Sequence, residues 1–286
     1  MLTALSAAVS GLDAYQEQMD IIGNNIANLN TTGFKSATGN LADGFSETLQ
    51  AATNPSSGNL NGTNSMQIGT GVITGSITND WSQGGINTTN IASDLYINGN
   101  GFFEVQDQNT GATYATQDGT FTLNNQGQLV QATTGYLVQG YNNAALSTIG
   151  GIKIDATGYT GNTPGATMTS WTINPQGVIT VNMSDGSSFT RGQVLLQNFT
   201  DPQALTSVGN NNYSNLTNAG GLPALSAAGS SSLSNTSIVS GALELSNVDL
   251  SAQMADLIVA QRAFEANSKI VTTSDELLQT VVNMKR

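Results

Sequence analysis

Residues 250–282 read LSAQMADLIVAQRAFEANSKIVTTSDELLQTVV, and the spacing of apolar side chains in this stretch determines the predicted architecture. Intervals of four and three alternate along it, which is the heptad-like repeat of a helix that buries one stripe. Neither proline nor glycine interrupts residues 242–286, and Ser246, Asn247 and Asp249 can cap the start of a helix. The stretch therefore predicts a C-terminal helix with a seam formed by Leu250, Met254, Leu257, Gln261, Phe264, Ser268, Val271, Asp275, Leu278 and Val282.

Residues 3–30 predict a second amphipathic helix at the other end of the chain. Polar residues such as Asp13, Glu17 and Asp20 occupy the face opposite its apolar stripe. The run NLNTTG at 28–33 is typical of a helix end. At 1.5 Å per residue the helix would be about 42 Å long. Its predicted stripe consists of Leu5, Val9, Leu12, Met19, Ile22, Ile26 and Leu29.

Between the helices, the apolar pattern changes to period two with glycine-containing turns. Short strands are predicted at FFEV (102–105), FTL (121–123), VITV (178–181) and several similar runs. The fold class is therefore α+β, with two long terminal helices around an all-β domain of short strands. The predicted segments are an N-terminal helix in 1–35, an extended connector in 36–75, a β-rich domain in 76–241 and a C-terminal helix in 242–286. Residues 142–170 form a small insertion or loops within the β-rich domain.

Two long helices on one chain cannot each bury an apolar stripe alone. They can pair with each other, because domain termini often lie close together, but outer apolar positions would still be uncovered. Contact with neighbouring subunits is the simplest way to bury these outer apolar positions. The alternative is an intramolecular helix pair packed on the sheet.

Composition excludes several classes of function. The chain has no Cys and no His, which rules out thiolate or imidazole metal sites and the usual nucleophile–base pairs. Its net charge of −12 and lack of a basic stripe argue against nucleic-acid binding. No apolar run is long enough to span a membrane, and the N-terminus lacks the basic region of a cleaved signal peptide. We expect no enzyme activity, cofactor, metal or small-molecule substrate, although a carboxylate-based hydrolase remains formally possible.

Motifs at both ends and in the middle resemble the bacterial flagellar hook and basal-body rod protein family. The N-terminal motifs are SGLDA (10–14), MDIIGNNIAN (19–28) and TTGFK (31–35). The C-terminal motifs are LELSNVD (243–249) and IVAQRAFEAN (258–267), and NGNGFF (98–103) resembles the central element. The resemblance implies a tubular homopolymer in which the terminal helices pair as an inner coiled-coil layer and the β-domain lies outside. It also implies export through the flagellar type III apparatus without a cleaved signal peptide.

Within that family, several segments look most like hook proteins. They are GYLVQGYN (135–142), GQVLLQNFTDP (192–202), VGNNNY (208–213) and the ending VNMKR (282–286). The expected function is therefore that of a hook subunit, which transmits torque for motility outside the cell. The short chain also resembles the distal rod protein of the periplasm-spanning basal body, which is the alternative. Outside the family, a secreted β-rich binding module would fit the composition.

The residues expected to carry self-assembly lie in the two terminal segments. The polar Asn24, Asn25 and Asn28 suit hydrogen bonds between subunits or a solvated face, and Arg262 suits a pair across helices with Asp20 or Glu17 or simple exposure. Expected partners are further copies, other rod, hook and hook-junction proteins, and the export apparatus. The predicted set is Leu5, Val9, Leu12, Met19, Ile22, Asn24, Asn25, Ile26, Asn28, Leu29, Phe34, Leu250, Met254, Leu257, Gln261, Arg262, Phe264, Val271, Leu278 and Val282.

Overall fold

The computed structural model describes residues 2–52, 62–156, 159, 166–221 and 224–284. The chain divides into two compact units. The helical unit comprises residues 1–27, 36–80 and 248–286, and the β unit comprises residues 28–35 and 81–247. The α+β fold class predicted from the sequence is confirmed.

Two long helices lie near the two ends of the chain, close to the predicted positions. Helix α1 spans Leu2–Ala27 and helix α2 spans Leu250–Met284. Asp249 caps α2, because its Oδ1 accepts hydrogen bonds from the backbone N–H of Ser251 (2.8 Å) and Ala252 (3.4 Å). Beyond α1, Gly33 adopts a positive φ of 67°. Neither helix is long and apolar enough to cross a membrane.

The segment boundaries differ from the prediction at both helices. Residues 28–35, assigned to the N-terminal helix segment, belong to the β unit. Residues 242–244, assigned to the C-terminal helix, form a β-strand, and α2 starts only at Leu250. The apolar residues before Asp249 pair as a strand and so interrupt what reads as one continuous helical stretch.

The two helices pack against each other in antiparallel orientation. The Asn25 amide donates to Gln253 Oε1 at 3.0 Å near one end of the pair. Further along, a Cβ on Gly11 would lie 2.6 Å from Asn267 Nδ2, so glycine permits the close approach. Extending this register places the residues from Leu277 onward beyond the start of α1. A supercoil between the helices remains a prediction.

The segment predicted as an extended connector forms two ladders of strands in the helical unit. Strand β1 (Ala37–Asp43) pairs antiparallel with β4 (Val72–Asn79), and β2 (Ser46–Gln50) pairs antiparallel with β3 (Met66–Gly69). The first ladder packs on α1, where Ser10 Oγ accepts a hydrogen bond from the Val72 N–H at 3.3 Å. Residues 53–61 of the predicted connector lie outside the described residues.

The β unit contains a large, mainly antiparallel sheet and smaller ladders. The strands are β5 Ile86–Thr88, β6 Leu95–Asn98, β7 Phe102–Gln106, β8 Thr113–Thr116, β9 Phe121–Leu123, β10 Leu129–Gln131, β11 Leu137–Tyr141, β12 Ile149–Gly151, β13 Met168–Ile173, β14 Val178–Met183, β15 Ser188–Val194, β16 Leu196–Gln197, β17 Thr206–Gly209, β18 Asn212–Ser214, β19 Ser237–Ser240 and β20 Ala242–Glu244. Among the described residues, the main path of the sheet runs β13-β14-β15-β11-β7-β8-β18-β17, while β5 pairs with β20 and β6 pairs with β19. A 3₁₀ turn spans Pro202–Ala204.

The core of the β unit consists of two apolar clusters. The larger one includes Phe103 and Phe121, whose rings meet edge to face with centroids 5.1 Å apart. The smaller one surrounds Phe102, which packs edge to face on Phe199 and Trp81. The predicted insertion at 142–170 also contributes, because Ile152 and Ile154 are buried in the larger cluster. Residues 157–158 and 160–165 of that insertion lie outside the described residues.

Candidate assembly surfaces

The seam of α2 that faces α1 differs from the predicted seam at most of the alternate positions, although the predicted Ser268 is half-buried. Leu257, Phe264, Val271 and Leu278 are half-buried, as the heptad pattern requires. The alternate positions are filled by Gln253, Ala260, Asn267 and Ser274, and Ala260 is fully buried. The predicted Met254, Gln261 and Asp275 are instead exposed, and Leu250 and Val282 are exposed as well. Small and polar residues therefore form half of the intramolecular seam, which leaves larger apolar residues on other faces.

Helix α1 buries its predicted stripe more fully than α2 does. Ile22 is buried, and Leu5, Leu12, Met19 and Ile26 are half-buried. Val9 is exposed on the same helix. Two further predicted residues, Leu29 and Phe34, are half-buried in the β unit rather than on α1. Most of the predicted N-terminal stripe is thus used within the chain.

The Asn25 side chain forms its hydrogen bonds within the chain, whereas it was expected to form them between subunits or to face solvent. Its side chain is 1% exposed. The Nδ2 group donates to the Ala37 carbonyl (2.8 Å) and to Gln253 Oε1 (3.0 Å), while Oδ1 accepts from the Ala37 N–H (3.0 Å). Asn25 therefore joins α1, β1 and α2. Asn24 is exposed, and Asn28 accepts a hydrogen bond from Thr31 Oγ1 at 3.0 Å.

Arg262 lies on the surface of α2 and pairs with a residue of its own helix. Its guanidinium is 2.8 Å from Glu265 Oε2, and both side chains are exposed. The expected pair with Asp20 or Glu17 is not formed within the chain. Exposed ion pairs of this kind contribute little to stability, about 0–1 kcal/mol. Arg262 is therefore available for other contacts.

The helical unit exposes many large apolar side chains among its described residues. On α2, Ile258 and Val259 are 58% and 66% exposed, and Met284 is 86% exposed. On the ladders, Phe45 is 81% exposed, and Leu49, Met66, Ile68, Ile73 and Ile77 are also exposed. So many large apolar side chains exposed within one compact unit indicate an interaction surface.

One polar cluster in the β unit was missed by sequence reasoning. Lys35 and Glu244 form an ion pair at 2.8 Å in which both side chains are buried. Lys35 Nζ also donates to the Ser82 carbonyl, and Glu244 Oε1 accepts from the Gly84 N–H, each at 2.8 Å. The two partners are 209 positions apart, so their contact has no local signal in the sequence. Lys35 lies in the motif TTGFK and Glu244 in the motif LELSNVD, and this shared position in the terminal motifs was the only sign in the sequence that the two residues have a common role.

No group of three or more His, Cys, Asp or Glu residues in the described ranges could hold a metal ion. The clearest titration effects are those of burial. Burial raises the pKa of the Glu104 carboxyl and raises the pKa of the Tyr213 hydroxyl to about 12. These are groups of the β-sheet core and its margin.

Three family models match parts of the chain. Residues 5–35 match a model described as "Flagella basal body rod protein". Residues 96–181 match "Flagellar hook protein FlgE/F/G D1 domain", and residues 239–284 match "Flagellar basal body rod FlgEFG protein C-terminal".

Curated relatives match the whole length or part of it. The flagellar basal-body rod protein FlgG of Bacillus subtilis is 37% identical over 286 residues, which is all of both chains. FlgG of Buchnera aphidicola subsp. Baizongia pistaciae is 36% identical over 98% of both chains. The flagellar hook protein FlgE of Helicobacter mustelae is 41% identical over 141 residues, which is 49% of this chain and 31% of that protein.

Proposed function

Because this chain belongs to the flagellar hook and basal-body rod protein family, we propose that it is the subunit of the distal rod of the flagellum. Members of the family are structural subunits of the flagellum. The full-length match to rod proteins supports the rod assignment over the hook assignment that the sequence motifs favoured. The hook protein of Helicobacter mustelae matches only about half of this chain. The hook function is the second candidate, supported by the 41% identity within that half.

The exposed apolar surface of the helical unit is the observation that carries the proposal of self-assembly. Side chains such as Ile258, Val259 and Met284 lie in water in a single chain. Burying apolar surface contributes about 25 cal/mol per Å², so repeated contacts between copies would be favourable. We therefore infer a homopolymer in which α1 and α2 form the inner layer of a tube. The exposed members of the predicted set, Val9, Asn24, Leu250, Met254, Gln261, Arg262 and Val282, face neighbouring copies in this account.

As a distal rod subunit, the chain would lie in the periplasm-spanning basal body, next to other rod proteins and to the hook. It reaches that place through the flagellar export apparatus. A helical unit with so much uncovered surface favours export before folding, because the folded chain would associate prematurely. A structural polymer of this kind requires no cofactor and no substrate.

The distal-rod assignment is tested on basal bodies purified from cells that lack the chain. Electron microscopy should show rods that stop short, with no hook attached, because the hook then has no complete shaft to grow from. Re-expression of the chain should restore full-length rods and hooks. Full-length rods without hooks would instead assign the chain to the hook. Intact hooks on full-length rods would contradict both assignments.

A further inference from the structure

The outer face of α2 combines exposed apolar and basic side chains. Ile258, Arg262 and Lys269 are exposed on this face, and the exposed Val259 lies at its margin. Glu265, which pairs with Arg262 at 2.8 Å, lies between the two basic residues. At 100° per residue this face lies opposite Ala260 and the other residues that contact α1. Arg262 and Lys269 are seven positions apart, which separates them by about 10.5 Å along the helix. The face therefore points away from the rest of the helix pair.

A groove between α1 and β4 combines acidic and apolar side chains, which complement the basic and apolar side chains of that face. It has a volume of about 490 Å³ and is lined by Asp13, Glu17 and Asp20 on one side and by Val72, Ile73 and Thr74 on the other. Ile73 is 56% exposed. Among the described residues, none of the three carboxylates forms an ion pair within the chain. Asp13 and Asp20 are also seven positions apart, so their spacing of about 10.5 Å matches that of the two basic residues.

We propose that the groove of one copy receives the outer face of α2 from a second copy. Arg262 and Lys269 of the incoming helix then lie against Asp13 and Asp20, with Glu17 between them. Ile258 and Val259 cover Ile73. The inference rests on the proposed function, because it names the contact by which copies of this chain associate.

The second copy is favoured over any other occupant because both halves of the contact are present on this chain. A chain cannot fill its own groove, since the outer face of its α2 points away from α1. Matched charge spacing sets the register of two helices and suppresses wrong partners. The groove and the α2 face are different surfaces, so the contact is head-to-tail. A head-to-tail contact that does not close into a ring generates an open helical polymer, as the proposed function requires.

Charge reversal on each side of the contact tests the proposal in the full-length chain. One variant carries Arg262→Glu and Lys269→Glu, and the other carries Asp13→Lys and Asp20→Lys. All four residues are exposed, so circular dichroism and thermal unfolding should match the wild type. Each variant should raise the critical concentration for assembly by roughly tenfold or more, which corresponds to about 1.4 kcal/mol. Light scattering and negative-stain microscopy measure this concentration.

Recombining the charges separates a specific contact from a general effect of charge. A chain with all four substitutions should assemble at a concentration close to that of the wild type, because each pair is restored with its signs exchanged. An equimolar mixture of the two double variants should also assemble, as an alternating copolymer. Double variants that assemble like the wild type, or a fourfold variant as defective as either double variant, would overturn the inference and leave the proposed function standing. A wild-type chain that never self-associates would overturn both.

Discussion

Lys35 and Glu244 illustrate at the residue scale how the two motif-bearing ends of the chain meet. Their ion pair is buried, and its remaining hydrogen-bonding groups reach Ser82 and Gly84. A buried charge is tolerated only when it is paired and hydrogen-bonded. The pair therefore ties three distant segments of the β unit together.

Lys35→Met should destabilise the β unit by about 3–5 kcal/mol, because it leaves the Glu244 carboxylate buried without a countercharge. The double variant Lys35→Met with Glu244→Gln should recover part of that loss, since the amide is neutral and its oxygen can still accept from Gly84. Denaturant unfolding measures the free energy of unfolding of the single and the double variant. Arg262→Ala, which breaks an exposed pair, is the control and should cost at most about 1 kcal/mol. Equal effects of Lys35→Met and Arg262→Ala would contradict the role given to the buried pair.

Glu104 on β7 gives a pH-dependent prediction. Burial raises the pKa of its carboxyl above the usual 4.5. The folded chain then binds the proton more tightly than the unfolded chain, so this contribution to stability is full below pH 4.5 and is lost as pH rises through the folded pKa. Glu104→Gln should therefore increase the free energy of unfolding at neutral pH and flatten its decline above pH 4.5. Unfolding curves across pH measure this, with Glu47→Gln on an exposed strand as the control. A loss of stability at neutral pH on Glu104→Gln would refute the assignment.

At the scale of elements, the junction of α1, β1 and α2 depends on Asn25. Asn25→Ala removes the partners of the Ala37 N–H and carbonyl, which are then left unsatisfied. We expect a loss of about 2–3 kcal/mol in the stability of the helical unit. Asn24→Ala, at an exposed neighbouring position, should change stability by no more than about 0.5 kcal/mol. Thermal unfolding monitored by helical circular dichroism distinguishes them, and similar small shifts for both would show that the junction does not depend on Asn25.

The elements also show what a single sequence can and cannot predict. The heptad pattern identified α2 and its Leu257, Phe264, Val271 and Leu278, yet it chose Gln261 where Ala260 is buried. Apolar residues occur on more than one face of α2, so periodicity alone does not say which face is covered within the chain. The ladders at 37–79 were missed because strands such as β1, with the sequence ATGNLAD, contain few apolar residues and show no regular alternation of apolar and polar residues. Contacts between distant residues, such as Lys35 with Glu244, have no local signal in a single sequence.

The outer ladder of β2 and β3 provides a prediction about stiffness. A two-stranded ribbon is marginally stable in water, and this one exposes Leu49, Met66 and Ile68, so neighbouring copies are its expected support. The Thr70 N–H donates to the Phe45 carbonyl at 2.9 Å, so residues 46–69 can be replaced by Asn-Gly without disturbing β1 and β4. The shortened chain should still form tubes, but with a shorter persistence length in electron micrographs. Tubes as stiff as the wild type would show that this ladder does not contribute to the stiffness of the tube.

At the scale of the whole molecule, the two units differ in how far they bury their apolar residues. The β unit buries its large aromatic residues in its own core, as Phe103 and Phe121 show. The helical unit leaves apolar residues uncovered on α2 and on the ladders. A chain that buries the apolar residues of one unit in its own core and leaves those of the other unit exposed is suited to repeated association with copies of itself.

Helical reconstruction from electron micrographs of the purified, assembled full-length chain shows directly whether the helical unit is buried between copies. We expect a hollow tube in which α1 and α2 surround the channel and Ile258 and Val259 are covered by a neighbouring copy. Single particles at every concentration, or a tube whose channel is lined by the β unit, would contradict it.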